Sequence, residues 1–288
     1  MSDLSQLIRL ARPSHWAKNA FVLMPVPFAL AAGAGLDVTT FLAGIAGFSL
    51  LNSAVYVFND LRDADQDRHH PKKKDRPVAS GAVSLQAARL ECAALLVAGG
   101  LLILATGSGS AAAVAATYVG LNFAYSLGAK NVPLLDVFIL SSGFVLRVLL
   151  GCALVGVLPS SWLLLCSSTL ALFLALAKRR ADLVAGLGAD HRPSLAGYNL
   201  AFVEQAMGIA ATLAVTAYGL YTIEVDVMLS GREFVPLLFV AYGVFEYLRL
   251  AHVADEGGSP VRTLFGSPTM LLAGLGWMAA TIWSLGLL

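Results

Sequence analysis

Cysteine is rare in this chain, charge is sparse, and polar linkers are missing. The three cysteines, Cys92, Cys152 and Cys166, all fall inside apolar stretches. Their spacing fits neither a zinc site nor a disulfide framework, so they read as small core or lipid-facing residues. Charged residues make up 13% of the 288 and hydrophobic ones 58%, against about 25% charged in an average soluble domain. A soluble protein of this length could not hide so much apolar surface, and the excess reads as area facing lipid. Residues 1–15 hold Asp3, Arg9 and Arg12 and no short apolar block ending in small residues. No cleaved signal peptide is therefore expected, and the first hydrophobic stretch should remain as a span. The five histidines, His15, His69, His70, His191 and His252, show no catalytic pairing. Lys and Arg follow the spans rather than one soluble face, which argues against a nucleic-acid partner. No repeat of the kind found in transporters is evident, which leaves a transporter or lipid-binding scaffold as the weaker alternative to an enzyme.

What is present is a succession of long apolar runs. A transmembrane helix needs about 20 mostly apolar residues. That rule marks nine stretches, near 17–35, 38–58, 86–106, 110–127, 133–157, 160–177, 203–222, 234–251 and 267–287. The predicted fold is all-α, a polytopic membrane protein forming one domain over 1–288. Tight turns such as Gly107-Ser108-Gly109 require antiparallel neighbours. With a cytoplasmic amino terminus, the inward loops are 59–85, 128–132, 178–202 and 252–266. All Lys and Arg except Arg232 then lie on the inner side, counting adjoining helix ends and Arg147, a strong positive-inside signal. The expected location is the cytoplasmic (inner) membrane, with the chemistry on the cytoplasmic face. Abundant Gly and Ala in the spans suit close helix packing in lipid and permit a homo-oligomer.

The second span runs into Asn59-Asp60-Leu61-Arg62-Asp63-Ala64-Asp65-Gln66-Asp67. On a helix, residues three or four apart share a face, so the carboxylates of Asp60, Asp63 and Asp67 are expected to converge. Asn52, Tyr56 and Asn59 extend the polar stripe into the apolar segment, where polar groups are costly. Clustered carboxylates repel unless a cation sits among them, and oxygen donors at this density suit Mg2+ holding a diphosphate. A plain acidic helix end is the alternative; the stripe's continuation into apolar sequence and the cations that follow at once weigh against it.

Cations follow at once, in His69-His70-Pro71-Lys72-Lys73-Lys74-Asp75-Arg76-Pro77-Val78-Ala79-Ser80-Gly81. Contact with anionic lipid accounts for the lysines; Arg76-Pro77 and Gly81 suggest a shaped loop. Arg147 stands inside the fifth predicted span, eleven residues beyond Asp136 and on the same helix face. An arginine at that depth needs a cavity or a partner. Cavity lining is the favoured role, and an ion pair with Asp136 or Glu246 is the alternative. Direct pairing with Asp136 would have to bridge about 16 Å along the axis.

Asn-Asp-x-x-Asp-x-x-x-Asp followed by Arg-Pro-x-Ala-x-Gly, in a chain of nine spans, resembles the UbiA superfamily of membrane prenyltransferases. The resemblance implies nine helices around a central cavity, with Mg2+ bridging Asp60, Asp63 and Asp67 to a diphosphate. Typical aromatic prenyltransferases of that superfamily carry a second aspartate-rich motif after the sixth span. Here that loop opens with Lys178-Arg179-Arg180-Ala181-Asp182 and runs through Asp190 and Arg192 to Tyr198-Asn199. This pattern is similar to the decaprenyl-phosphate phosphoribosyltransferase branch. So are Arg12-Pro13-x-x-Trp16-x-Lys18-Asn19, Tyr125-Ser126 with Lys130, and Gly143-Phe144-x-Leu146-Arg147. That branch implies transfer of 5-phosphoribose from phosphoribosyl pyrophosphate to a polyprenyl phosphate, feeding arabinan synthesis in the cell wall.

Such a reaction brings a diphosphate, a 5-phosphate and a lipid phosphate together. It asks for cations beyond the metal, with Arg suited to bidentate phosphate recognition and Lys acting as a point charge. The expected substrate-binding residues are Lys18, Asn52, Tyr56, Asn59, Arg76, Tyr125, Lys130, Arg147, Lys178, Arg179, Arg180, Asp182 and Tyr198. Asp60, Asp63 and Asp67 are the expected metal ligands and catalytic residues. An aromatic prenyltransferase using an isoprenyl diphosphate is the alternative reaction.

Overall fold

Apolar runs of about twenty residues become long helices here, because a buried or lipid-facing backbone must satisfy its own hydrogen bonds. The computed structural model describes residues 3–69, 73–188, 192–254, 258, 263–264 and 266–287. Among these residues the chain is helical with no strand. An amphipathic helix α1 (Leu4–Ala11) leads into a 3-10 segment (Pro13–Leu23) and a short helix α2 (Val26–Ala31). There follow α3 (Val38–Arg68), α4 (Leu85–Ala105), α5 (Gly109–Leu127), α6 (Leu135–Val155) and α7 (Ser161–Val184). The last three helices are α8 (Leu200–Glu224), α9 (Val235–Val253) and α10 (Pro268–Ser284). Side chains of Asp37, Ser84, Ser108, Ser160, Asn199 and Ser267 accept backbone N–H bonds at the helix starts, which is why the helices begin where short polar residues stand.

Five of these helices, α3, α4, α6, α7 and α8, are long and apolar enough to cross a membrane. The chain is an integral membrane protein. Eight of the nine predicted spans correspond to long helices. The first differs. Pro13, Pro25 and Pro27 each lack an N–H and restrict the residue before them, so the stretch 17–35 is broken into a 3-10 turn and a short helix. This segment lies against α6 so closely that a Cβ on Gly151 would collide with the Val22 carbonyl and the Pro25 ring. A second departure concerns α7. It continues two turns beyond its apolar stretch, so Lys178, Arg179, Arg180 and Asp182 stand on its last turns and not in a loop.

Helix pairing sets the position of the site. α3 packs along α4, α7 along α8, and α9 along α10, while α6 lies between α5 and α7. α3 and α4 cross backbone to backbone: a Cβ on Gly47 would lie 2.9 Å from the Gly99 carbonyl oxygen, and one on Gly99 would lie 2.8 Å from that of Gly47. Small residues allow such an approach in lipid. The charged ends of α3 and α7, the α5–α6 turn and the 192–198 segment consequently gather at one end of the bundle.

Candidate functional site

The acidic end of α3 is built from ion pairs reaching across the sequence. Asp60 accepts both oxygens' bonds from Arg12 Nη2, at 2.6 and 2.7 Å, and a third from Arg76 Nη1 at 3.1 Å. The same Arg76 nitrogen donates to Asp67 Oδ2 at 2.6 Å. Asp63 faces the other way along the helix surface, taking Lys130 Nζ at 2.5 and 2.7 Å. It also accepts from Asn59 Nδ2 at 3.1 Å, while Asn59 Oδ1 accepts from Ser126 Oγ. Asp60 and Asp67 are buried, with Asp63 partly so. The expected convergence of three bare carboxylates is therefore corrected. Among the described residues no group of three His, Cys, Asp or Glu is gathered to hold a metal ion. The reason is electrostatic: buried carboxylates must be paired, and Arg12, Arg76 and Lys130 already pair them.

The donor set still fits Mg2+. Three carboxylates and an amide oxygen, on successive turns of one helix and without sulfur or imidazole among them, are hard oxygen ligands. Rotamer changes of the long Arg and Lys side chains would free them.

Local backbone positions two of the cations. Arg12 ends α1 with φ +51°, and that left-handed turn directs the following segment across α3. Lys130 lies in a short 3-10 turn (Ala129–Asn131) between α5 and α6. Arg76 sits in a folded loop whose Val78 and Val83 are buried and whose turn closes at Gly81, φ +79°. His70, Lys72 and Asp190 lie outside the described residues.

A second cluster surrounds Asp136, which is fully buried at the start of α6. Tyr198 Oη donates to its Oδ1 at 2.6 Å and Ser194 Oγ to its Oδ2 at 2.9 Å. Arg179 Nε lies 3.5 Å away and Arg192 Nη1 3.7 Å away. Tyr198 Oη in turn accepts from Leu134 N at 2.5 Å; Leu134 has φ +65°, a conformation a leucine adopts only when held. Burial and the bond to Asp136 push the Tyr198 phenol well above its ordinary range, so it stays a neutral donor. Arg179 also donates to Asp182 at 2.7 Å, and Arg192 donates to Tyr125 Oη at 2.5 Å. Lys178 makes no hydrogen bond or ion pair among the described residues. Arg180 is turned elsewhere, to Glu204 at 2.8 Å and the Ala251 carbonyl, tying α7 to α8 and α9.

Between the clusters lies a cavity of about 60 Å3, lined by Lys18, Tyr56, Tyr118, Asn122, Tyr125 and Arg147 together with apolar residues of α6. Lys18 Nζ is 3.4 Å from Tyr56 Oη. Arg147 donates to Asn19 Oδ1 at 2.9 Å, the Gly143 carbonyl at 2.6 Å and Tyr118 Oη at 3.2 Å. It lies over the rings of Phe48, Tyr118 and Phe144. It thus both lines the cavity and pins the broken first segment to α5 and α6. Neither alternative partner takes it: Asp136 is engaged as above, and Glu246 pairs with Arg249 and Thr269. Asn52 is fully buried, and neither of its side-chain polar atoms has a partner. His15, with its ring edge-on to Tyr56 at 4.7 Å, is held neutral; burial and the nearby Lys18 and Arg12 push it down to about 4.

The structure gathers Tyr56, Asn59, Arg76, Tyr125 and Lys130 with the aspartates and the cavity, and Lys178, Arg179, Asp182 and Tyr198 around the second cluster. Arg12, Arg192, Tyr118 and Asn122 were not among the expected substrate-binding residues. Arg12 and Arg192 stood within motifs already noted and so carried a usable signal; Tyr118 and Asn122 are fixed by contacts distant in sequence.

The model of the UbiA prenyltransferase family matches residues 20–266. The chain is 31% identical over 282 residues to the decaprenyl-phosphate phosphoribosyltransferase of Corynebacterium glutamicum, covering 94% of this chain and 84% of that one. It is 30% identical over 284 residues to the enzyme of the same name from Mycobacterium tuberculosis, covering 95% and 92%. The fold is shared with a UbiA homolog from Archaeoglobus fulgidus solved with GPP and Mg2+, at a TM-score of 0.74 and 17% identity, over 98% of this chain and 99% of that one.

Proposed function

The chain belongs to the UbiA prenyltransferase family, and from that premise we propose that it transfers 5-phosphoribose from phosphoribosyl pyrophosphate to a polyprenyl (decaprenyl) phosphate. Pyrophosphate leaves, and the product serves arabinan precursor synthesis for the cell wall. The whole chain acts as one unit in the cytoplasmic membrane, with the site open to the cytoplasm. The observation that carries this reading is the cationic second cluster. Lys178, Arg179 and Arg192 stand where an isoprenyl transferase of the superfamily would carry acids, and among the described residues Lys178 has no ion pair. The curated relatives' name points the same way.

Asp60, Asp63 and Asp67, with Asn59, would hold Mg2+, which supplies charge neutralisation at the departing pyrophosphate. Arg12, Arg76 and Lys130 border those carboxylates and are placed to take the diphosphate oxygens. Lys178, with Arg192 and Tyr125, faces the remaining phosphates. Tyr198 and Asp136 hold the 192–198 segment so that Arg192 stays in place. The acceptor is an anion, so no strong general base is required, in keeping with a site that holds His15 neutral. Displacement from the face opposite the pyrophosphate inverts the anomeric carbon.

The test supplies purified protein with Mg2+, labelled phosphoribosyl pyrophosphate and polyprenyl phosphate. A parallel reaction holds labelled isoprenyl diphosphate with an aromatic acceptor. Label is expected in lipid in the first reaction; product in the second alone would overturn the proposal.

A further inference from the structure

Asp60, Asp63 and Asp67 at the end of α3 are each matched by cations from other elements: Asp60 by Arg12 and Arg76, Asp67 by Arg76, and Asp63 by Lys130. Asp60 and Asp67 are 1% and 3% exposed. We propose that these carboxylates and cations change partners as a set, so that a divalent cation and a diphosphate bind together and neither binds well alone. The inference rests on reading this end of α3 as the metal–diphosphate site.

The argument is one of buried charge. Removing one partner of a buried ion pair is strongly destabilising, because the other charge is left without compensation. A divalent cation arriving alone would displace Arg76 from two carboxylates and Lys130 from a third. It would also face three positive side chains with no anion to receive them. A diphosphate arriving alone would draw the same side chains away and leave two buried carboxylates beside its own negative charge. When both arrive, the carboxylates turn to the metal and the cations turn to the diphosphate, and no buried charge is orphaned. Arg76 is central, because one nitrogen bridges Asp60 and Asp67. Arg12 and Lys130 approach from the end of α1 and the α5–α6 turn on long, partly exposed side chains. Their heads can move without shifting a helix.

Coupling between two ligands is reciprocal: the factor by which diphosphate tightens the metal is the factor by which the metal tightens diphosphate. We expect that factor to be on the order of 10- to 100-fold.

The experiment titrates the full chain in detergent with Mn2+, reading free ion by electron paramagnetic resonance. One series has no addition and one has methylenebisphosphonate at fixed concentration, with a protein-free blank to subtract complex formation in solution. The reverse titration checks reciprocity. Arg76→Gln and Lys130→Gln are measured alongside, and Lys130, on a turn, guards against a variant that fails to fold. The expected result is Mn2+ binding tightened 10- to 100-fold by the bisphosphonate in the unaltered protein. Both variants should bind Mn2+ alone more tightly and show an enhancement of only a few fold. Equal Mn2+ affinity with and without bisphosphonate, or variants that leave the metal-alone affinity unchanged, would overturn the proposal. Neither ribose nor lipid enters this experiment. Full coupling in a protein that transfers no phosphoribose would sink the reaction and leave partner exchange standing; transfer without coupling would do the reverse.

Discussion

On the α3 side of the site, Asp60, Asp63 and Asp67 face Arg12, Arg76 and Lys130, and every charge has a counterpart. On the α7 side, among the described residues, Lys178, Arg179 and Arg192 face Asp136 and Asp182, and Lys178 has no ion pair. The first arrangement is balanced and exchangeable, made by long side chains that reach in from elsewhere. The second is unbalanced and fixed, because Asp136 is fully buried and holds three elements together. On the function proposed above, a site assembled this way would separate two tasks: one side would trade charge with a metal and its diphosphate, and the other would offer cations to phosphate.

Asp136→Ala tests the fixed side most severely. It leaves buried Arg179 with Asp182 as its one remaining carboxylate among the described residues and removes the acceptor of Tyr198 and Ser194. A loss of about 3–5 kcal/mol is expected, read as a large drop in thermal unfolding temperature in detergent. Asp60→Ala and Asp63→Ala test the exchangeable side. Turnover should fall by about 100- to 1,000-fold or more with little loss of fold, since the cations freed are partly exposed; near-normal turnover in either variant would remove the metal role. Next comes a pair on one helix. Lys178→Gln should raise a substrate KM about tenfold, the value of one charge-assisted bond, at unchanged thermal stability. Arg180→Gln should do the opposite, lowering stability and leaving KM alone. Smallest is Arg68→Gln, whose ion pair with Asp65 is exposed on both sides, at 49% and 93%; a stability change below about 1 kcal/mol is expected.

The helices were legible because an apolar run in lipid has few alternatives to a helix. The acidic motif was legible because Asp60, Asp63 and Asp67 recur at helical spacing. The first span was misjudged, because hydropathy counts Pro25 and Pro27 as neutral occupants while their missing N–H groups break the helix. The Lys178-Arg179-Arg180 run was over-read as one patch. Successive helical residues are about 100° apart, so three in a row must point three ways. The structure leaves Lys178 half-buried with no hydrogen bond or ion pair among the described residues, and sends Arg179 to Asp136 and Asp182 and Arg180 to Glu204. The partners of Arg147 were illegible for a different reason. Asn19 lies 128 residues away in sequence, and no local pattern carries a contact of that range.

The crossing of α3 and α4 at Gly47 and Gly99 has a consequence for the surrounding bilayer. Two backbones in direct contact cannot slide past one another, so the acidic residues stand at a set height, about 20 Å from Gly47 to Asp60 along α3. The headgroup plane is set by the lipids, and its distance from the crossing changes with membrane thickness. In a thicker membrane the carboxylates would stay where the glycines hold them while the lipid surface moved outward. The glycine crossing therefore fixes the height of Asp60, Asp63 and Asp67 relative to α4, whatever the thickness of the surrounding lipid.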